Sequence, residues 1–529
     1  MKMRIITILI LGIGTLSFGQ GTLTPPGAPA PTMKTLQQVE PRTPLVAGSQ
    51  GVSIDTNGTI SIMQSGSYYL TTNLTVSASS GIQILASGVT LDLNGFTIRS
   101  IASSASASSS GISIQNSNVS IFNGHIVSGT VYDNGASGDQ YTGSGFQNGI
   151  YASSTTYANI RIHDVSVSGC DLSGISIASL DDSLVESCIV KTVGSTGIRA
   201  GVVNKCLATT CGGTAIYGYQ ITGCRGGSTG GKGIYSEGTV ANSFGKTEAT
   251  ETNSEGIYAK RSVQNSYGLS FGYTGIYSEG RVANSSGFTY SISTTSTGIY
   301  ALHAIENSYG YSQKGGGLSA ETAHNCVGYT DGDSTASDGI YVRRIAQNSI
   351  GYSQGRDGIR SDGIVANSSG FTTGRFLSSR GIYANKAIQN SYGNSTGTGI
   401  YSDGIVINSY GYTSGTSTNF QGIYGNRIVQ NSYGYSRGGN GIQSSGMVVN
   451  SYGETYGTST SSAGIYAEKT VKNSYGLSDK GDGIRSKIVS YSYGTSYGSD
   501  SSADGIQATI AIGCIAVGGQ NITHKYNMP

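Results

Sequence analysis

The sequence predicts an all-β solenoid of stacked parallel coils, about twenty of them, and three observations predict it. A Gly-Ile step recurs at Ile198, Ile234, Ile257, Ile276, Ile299, Ile340, Ile359, Ile382, Ile400, Ile423, Ile442, Ile465, Ile484 and Ile506, with Ala215-Ile216 and Gly317-Leu318 in the same slots. Nine residues after most of these positions, and eight after a few, comes the Ser or Cys of an Asn-Ser-Tyr-Gly-like step. No Pro occurs between Leu45 and Met528, as an unbroken hydrogen-bonded ladder requires.

A coil of 18 to 23 residues is too short for a pair of helices. Its apolar/polar alternation between Gly, Asn and Ser points to short strands joined by turns, equivalent residues stacking ~4.8 Å apart. Composition agrees, since 82 Gly, 36 Tyr, no Trp and 11% charged residues lie far from a globular average. A chain of 529 residues would ordinarily be several domains, but a solenoid grows by adding coils. The net charge of +2 gives no reason to expect nucleic acid as a partner.

In chain order, residues 1–19 have the pattern of an export signal: Lys2 and Arg4, the apolar run Ile5 to Leu16, then Ser17 and Gly19 before a cut at Gln20. The run is too short to span a bilayer, so the expected protein is secreted or extracellular, in the periplasm or at the outer cell surface, with no membrane span after cleavage. Residues 20–50 form a Pro-rich leader in which Thr32 is placed to cap a short helix bearing Met33, Leu36 and Val39. That helix is the expected N-terminal cap over the first coil's open edge. The solenoid is predicted over 51–520 and a tail over 521–529. Val131 to Asn148 is the longest irregular insertion, either a functional lid or a tolerated loop.

The strand-like segment Val89-Thr-Leu-Asp-Leu-Asn-Gly-Phe-Thr-Ile98, followed by repeated Gly-Ile and Asn-Ser/Cys steps, resembles the right-handed parallel β-helix proteins of the pectate-lyase-like superfamily. The leader Leu23-Thr-Pro-Pro-Gly-Ala-Pro-Ala-Pro-Thr-Met-Lys34 resembles that of secreted bacterial β-helix repeat proteins of unassigned function. The resemblance covers roughly Val52 to Gly519 and implies a right-handed parallel β-helix.

Stacking turns repeated residues into columns. Cys170, Cys188, Cys206 and Cys224, each 18 apart, share the slot later held by Ser243, Ser266 and Ser285, with Cys326 and Cys514 rejoining it and Cys211 outside. Buried free thiols packing as small apolar groups are expected, although disulfides between adjacent coils are geometrically open. An Asn column runs through residues 242, 265, 284, 307, 325, 348, 367, 390, 408, 431, 450 and 473, where each amide is placed to hydrogen-bond the next. Charges alternate, with Arg261, His303, Arg344, Lys386, Arg427 and Lys469 in longer coils and Glu237, Glu279, Glu321, Asp362 and Asp403 in shorter ones. That pattern predicts a stripe of opposite signs that guards register.

If Ile points inward, the next residue points out. Tyr235, Tyr258, Tyr277, Tyr300, Tyr341, Tyr383, Tyr401, Tyr424 and Tyr466 then form a file that is the candidate binding surface, either for polysaccharide or cell-surface partners or simply as stacked neighbours. A second file follows Ser, at Tyr267, Tyr309, Tyr392, Tyr410, Tyr433, Tyr452 and Tyr475. Variable Ser/Thr-rich loops, such as Thr289 to Thr297 and Thr330 to Asp338, leave every second coil on one flank and suit adhesion. The predicted function is thus a structural or binding rod with no cofactor and no metal.

The alternative is a polysaccharide lyase or glycoside hydrolase. The superfamily resemblance implies clustered Asp with Ca²⁺ and a basic residue, or several Asp with a His. The available set is His163, Asp164, Asp171, Asp181, Asp182 and Lys191, close to the long insertion. That reading requires Asp171, Asp181 and Asp182 to share a cleft beneath it.

Overall fold

The computed structural model describes residues 42–77, 80–103, 109–134, 140–374, 376–499 and 502–528. The expected export signal and the cap helix at Thr32 lie outside the described residues. From Thr43 onward the chain is one compact unit, a right-handed parallel β-helix of about 21 turns. Among the described residues no helix is long and apolar enough to cross a membrane.

Each coil has three faces. In one repeat these are Ile257–Ala259, Ser262–Gln264 and Tyr267–Ser270, which stack in parallel on Ile276–Ser278, Arg281–Ala283 and Ser286–Thr289. Ile257 lies opposite Ile276 and Ile276 opposite Ile299, all fully buried, so the inferred Ile column exists. Val263, Val282 and Ile305 supply the core of the second face. Burying such a side chain contributes roughly 1.5–3 kcal/mol, repeated coil after coil.

The third face is built differently. Its inward column runs Val190, Ala208, Gly226, Gly245, Gly268, Gly287. Opposite stands a second glycine column at the start of the first face, Gly256, Gly275 and Gly298. The two faces close on each other until backbone meets backbone: a Cβ on Gly275 would lie 2.7 Å from the Gly298 oxygen and overlap the Phe288 nitrogen. This pinch explains much of the glycine content.

Both ends extend past the predicted boundaries. Thr43–Pro44 already pairs with Tyr68 and Tyr69, and Val52–Ile54 runs antiparallel to Ile60–Ile62 at the start of the first face. At the other end the presumed tail carries the last strand, Gly519–Tyr526, paired along Asp504–Ile512.

The thiol column needs correction. Cys188, Cys206 and Cys224 do share a slot, and the Cys188 and Cys206 backbone nitrogens each donate to the next Sγ at 3.4 Å. Cys170, however, pairs with Val193, which pairs with Cys211. The coil before Cys188 is longer: Ser166 faces Ile189 and Val167 faces Val190, which displaces Cys170 to the far end of the third face. All seven cysteines are free and buried. Burial pushes the Cys170 thiol up to about 12, and the Cys188 contact first, with burial, does the same for Cys206. Cys170 and Cys206 therefore stay protonated and inert.

Between the second and third faces each coil from Val119–Val127 onward turns through a left-handed residue. That slot holds Asn123, Asp164, Ser187, Lys205, Gly223, then Asn242 through Asn473, and finally Tyr491 and Gly513, with φ between 47° and 65°. Asn tolerates this conformation better than other side-chain-bearing residues, which is one reason it recurs. Its amide adds a second: Nδ2 of Asn265 donates to Asn242 Oδ1 at 3.2 Å, Asn284 to Asn265 at 3.2 Å and Asn307 to Asn284 at 3.1 Å. Asn390, Asn408 and Asn431 continue the pattern, each donating at 3.1 Å to the Asn one coil earlier.

Asn284→Gly therefore keeps the backbone and loses only exposed amide bonds, whereas Asn284→Val adds roughly 1–2 kcal/mol of left-handed strain. Amide hydrogen exchange in the coils on either side is expected to rise with Val well above its level with Gly. Equal exchange in both would show that the slot makes no conformational demand.

Candidate binding surfaces

The structure separates the residues of the catalytic alternative. His163 stacks on Phe122 with ring centroids 4.9 Å apart, and its Nδ1 lies 2.9 Å from Asp164 Oδ2. Asp164 occupies the left-handed turn slot, a structural position. Asp171 follows the third-face strand that ends at Cys170, and a Cβ on Gly143 would strike its carboxylate, so it does sit against the insertion. Asp181 and Asp182 lie elsewhere, in the turn between first-face Ser173–Ile177 and second-face Ser183–Glu186. Lys191 is exposed on third-face Ile189–Val193. Asp171, Asp181 and Asp182 do not share a cleft, because Asp171 lies at a different corner of the coil from the Asp181–Asp182 pair. Among the described residues no group of three or more His, Cys, Asp or Glu is placed to hold a metal ion.

The long insertion forms a hairpin, Val131–Asp133 against Gln140–Thr142, with the Tyr132 and Tyr141 rings 5.0 Å apart. It lies along the corner between third and first faces, where Cβ atoms on Gly194 and Gly212 would meet the Tyr141 side chain. Tyr141 Oη reaches Thr229 Oγ1 at 3.0 Å.

The first tyrosine file is half-buried and stacks on itself. Tyr217–Tyr235 and Tyr235–Tyr258 have centroids 4.9 Å apart, and Tyr258–Tyr277 5.1 Å, with planes within 6° of parallel. Interior ring faces are therefore covered by neighbouring rings. The hydroxyls are engaged as well: Tyr217 and Tyr235 donate to Glu237 at 2.9 and 3.0 Å, Tyr341 to Asp362 and Tyr383 to Asp403 at 2.8 Å, and Tyr258 to Glu279. Burial first, and the Glu237 carboxylate second, push the Tyr217 phenol up to about 12.

The acidic members of the charge alternation thus anchor tyrosines, a role the sequence pattern does not show. Ion pairing is partial: Glu321 lies 3.3 Å from Arg344 and 3.7 Å from His303, while Glu237 pairs at 2.5 Å with Lys260, the neighbour of the predicted Arg261. Such exposed pairs contribute ~0–1 kcal/mol each.

The second file borders a long concavity. A groove of about 1380 Å³ follows the corner between second and third faces, lined from Asn367 to Ile515 by repeated Asn, Ser and Tyr with no charged residue. Tyr410, Tyr433, Tyr452 and Tyr475 stack along it with centroids 4.8 to 5.0 Å apart. Asn408, bonded on both sides by Asn390 and Asn431, retains one N–H and one lone pair for a ligand.

The variable loops bridge third and first faces, and their ends are not all surface. Asp338 and Asp357 are buried, with only 3% and 1% of their surface exposed. Arg356 clasps Asp338 through Nε at 2.9 Å and also through Nη2, and lies 3.6 Å from Asp357. Arg380 lies 4.2 Å over the Tyr383 ring and 4.4 Å over Tyr401. Burial, then the Asp338 carboxylate, lifts Asp357 to about 8, and burial raises Asp338 as well. Sequence reasoning missed this cluster because Asp in a Ser/Thr-rich loop looks like a solvated turn.

No family model and no curated protein matches the chain. One solved structure with some similarity is the A-module of mannuronan C-5 epimerase AlgE6 from Azotobacter vinelandii, 11% identical over 88% of this chain and 91% of that one, with a TM-score of 0.12. A likeness of that size carries no argument about activity, so function rests on the geometry of this chain.

Proposed function

We propose that the protein is an exported β-helix rod of the pectate-lyase-like kind that holds an extended, uncharged polysaccharide along the Asn-Ser-Tyr groove. The observation that supports this reading is the groove itself, which presents the same three side chains coil after coil. A polymer of hydroxyls both donates and accepts, matching the spare amide valences, and the row of stacked phenol edges gives it an apolar wall. With no charge in the lining, a neutral chain avoids the desolvation cost that an acidic one incurs. The first tyrosine file is less suited to face-on sugar stacking, since its interior rings cover one another.

Affinity electrophoresis of the full chain through gels containing xylan, hydroxyethylcellulose or pectate tests this. A neutral polymer is expected to retard migration, pectate much less. Replacing Asn408, Asn431 and Asn450 together by Gly is expected to weaken retardation at least about tenfold, because Gly keeps the left-handed turn and deletes the amide. Absence of retardation by any neutral polymer, or full retardation of the triple variant, would overturn the reading.

A further inference from the structure

Between Tyr217 and Tyr466 the first tyrosine file is interrupted three times, by Ser319, Arg360 and Gln443. Two of the interruptions fill themselves. The Arg360 guanidinium lies 5.5 Å from the Tyr341 ring centroid and 5.8 Å from that of Tyr383, and Gln443 is held by Asn440 at 3.0 Å. Ser319 ends at Oγ. Its column neighbours, Tyr300 and Tyr341, therefore face each other across an unfilled layer two strands deep, roughly 10 Å. Stacked rings elsewhere in the file have centroids 4.6 to 5.6 Å apart, so this layer is one ring thick.

A cavity of about 460 Å³ occupies this place, lined by Tyr300, Ser319 and Tyr341 together with Asp338, Arg356 and Arg360. Beside it Gly316 leaves open space, since an added Cβ would meet only the Asp338 oxygen, at 3.6 Å. The charges are unevenly matched. Asp338 is already clasped by Arg356, whereas the buried Nε of Arg360 makes no hydrogen bond. The Arg360 Nε itself is closed off, but Arg360 and Arg356 both line the cavity, and a carboxylate is the group that a planar guanidinium fork fits best.

We infer that this cavity binds a ring-bearing carboxylate, its ring between Tyr300 and Tyr341 above Ser319 and its carboxylate toward the Arg356 and Arg360 side. The site is on a different corner from the polysaccharide groove and does not depend on it. Aromatic acids and uronic acids share this chemistry.

The full chain is titrated by calorimetry with benzoate, glucuronate and their neutral counterparts, benzyl alcohol and methyl glucoside. Saturable binding of either acid, at least tenfold tighter than its neutral counterpart, is expected, and the acid that binds identifies the source. Ser319→Tyr completes the file and is expected to weaken that binding at least tenfold. Arg360→Gln, which leaves the layer open, is expected to erase the preference for acid over neutral. Failure of both acids to saturate, equal binding of acid and neutral ring, or wild-type affinity in Ser319→Tyr would each overturn the proposal. Retardation by neutral polysaccharide is unaffected in either variant if the two sites are separate.

Discussion

Gly287→Val is expected to open the coils around it, with a loss of at least about 3 kcal/mol. A Cβ at Gly287 falls far inside contact distance of the Gly298 carbonyl oxygen and 2.6 Å from Ile299 Cγ1, so the obstacle is backbone and core on one side. Relief requires the first and third faces to separate, and adjacent coils then lose their parallel ladders as well. Upstream, the same column carries Ala208 and Val190, where only the opposing column is glycine. Ala208→Gly is accordingly expected to be mild, about 1 kcal/mol, because it removes one buried methyl. Hydrogen exchange resolved by coil distinguishes the two. Wild-type protection around Gly287 in the Val variant would mean that the faces do not meet as described.

Arg356→Ala is expected to cost about 3–5 kcal/mol, since it strands the buried Asp338 carboxylate. The same cluster makes stability depend on pH. Folded Asp357 keeps its proton up to about 8, whereas in the unfolded chain it ionises near the usual carboxylate value of about 4. Between those limits the folded state binds more protons, so stability falls as pH rises from about 4 to about 8. Asp357→Asn removes this contribution. The difference in urea midpoint between that variant and wild type is expected to grow with pH across the window, and parallel curves would refute the assignment.

The fold was legible because its constraint is repetitive. A residue such as Ile276 must be apolar for the same reason as Ile257 and Ile299, and an Asn at each turn meets the same left-handed demand. Legibility failed where a contact crosses coils of unequal length. Equal spacing placed Cys170 above Cys188, yet only the ladder shows that the intervening coil displaces it. The carboxylates of Glu237 and Asp362 looked like partners for alternating cations, because sequence order hides that a phenol from the preceding coil reaches them first. Ser319 was visible as the missing Tyr after Gly317-Leu318, but a missing ring becomes a space only when its neighbours are shown to remain in place.

The hairpin between Val131 and Thr142 joins parts of the chain that the ladder alone would leave independent, because Tyr141 reaches Thr229, 88 residues away. Under axial tension the windings beneath that buckle must yield together. The opposite end finishes in Gly519–Tyr526, whose residues are almost all exposed. Pulled lengthwise, the windings under the buckle are tied by a side-chain bond in addition to the ladder that joins all the others.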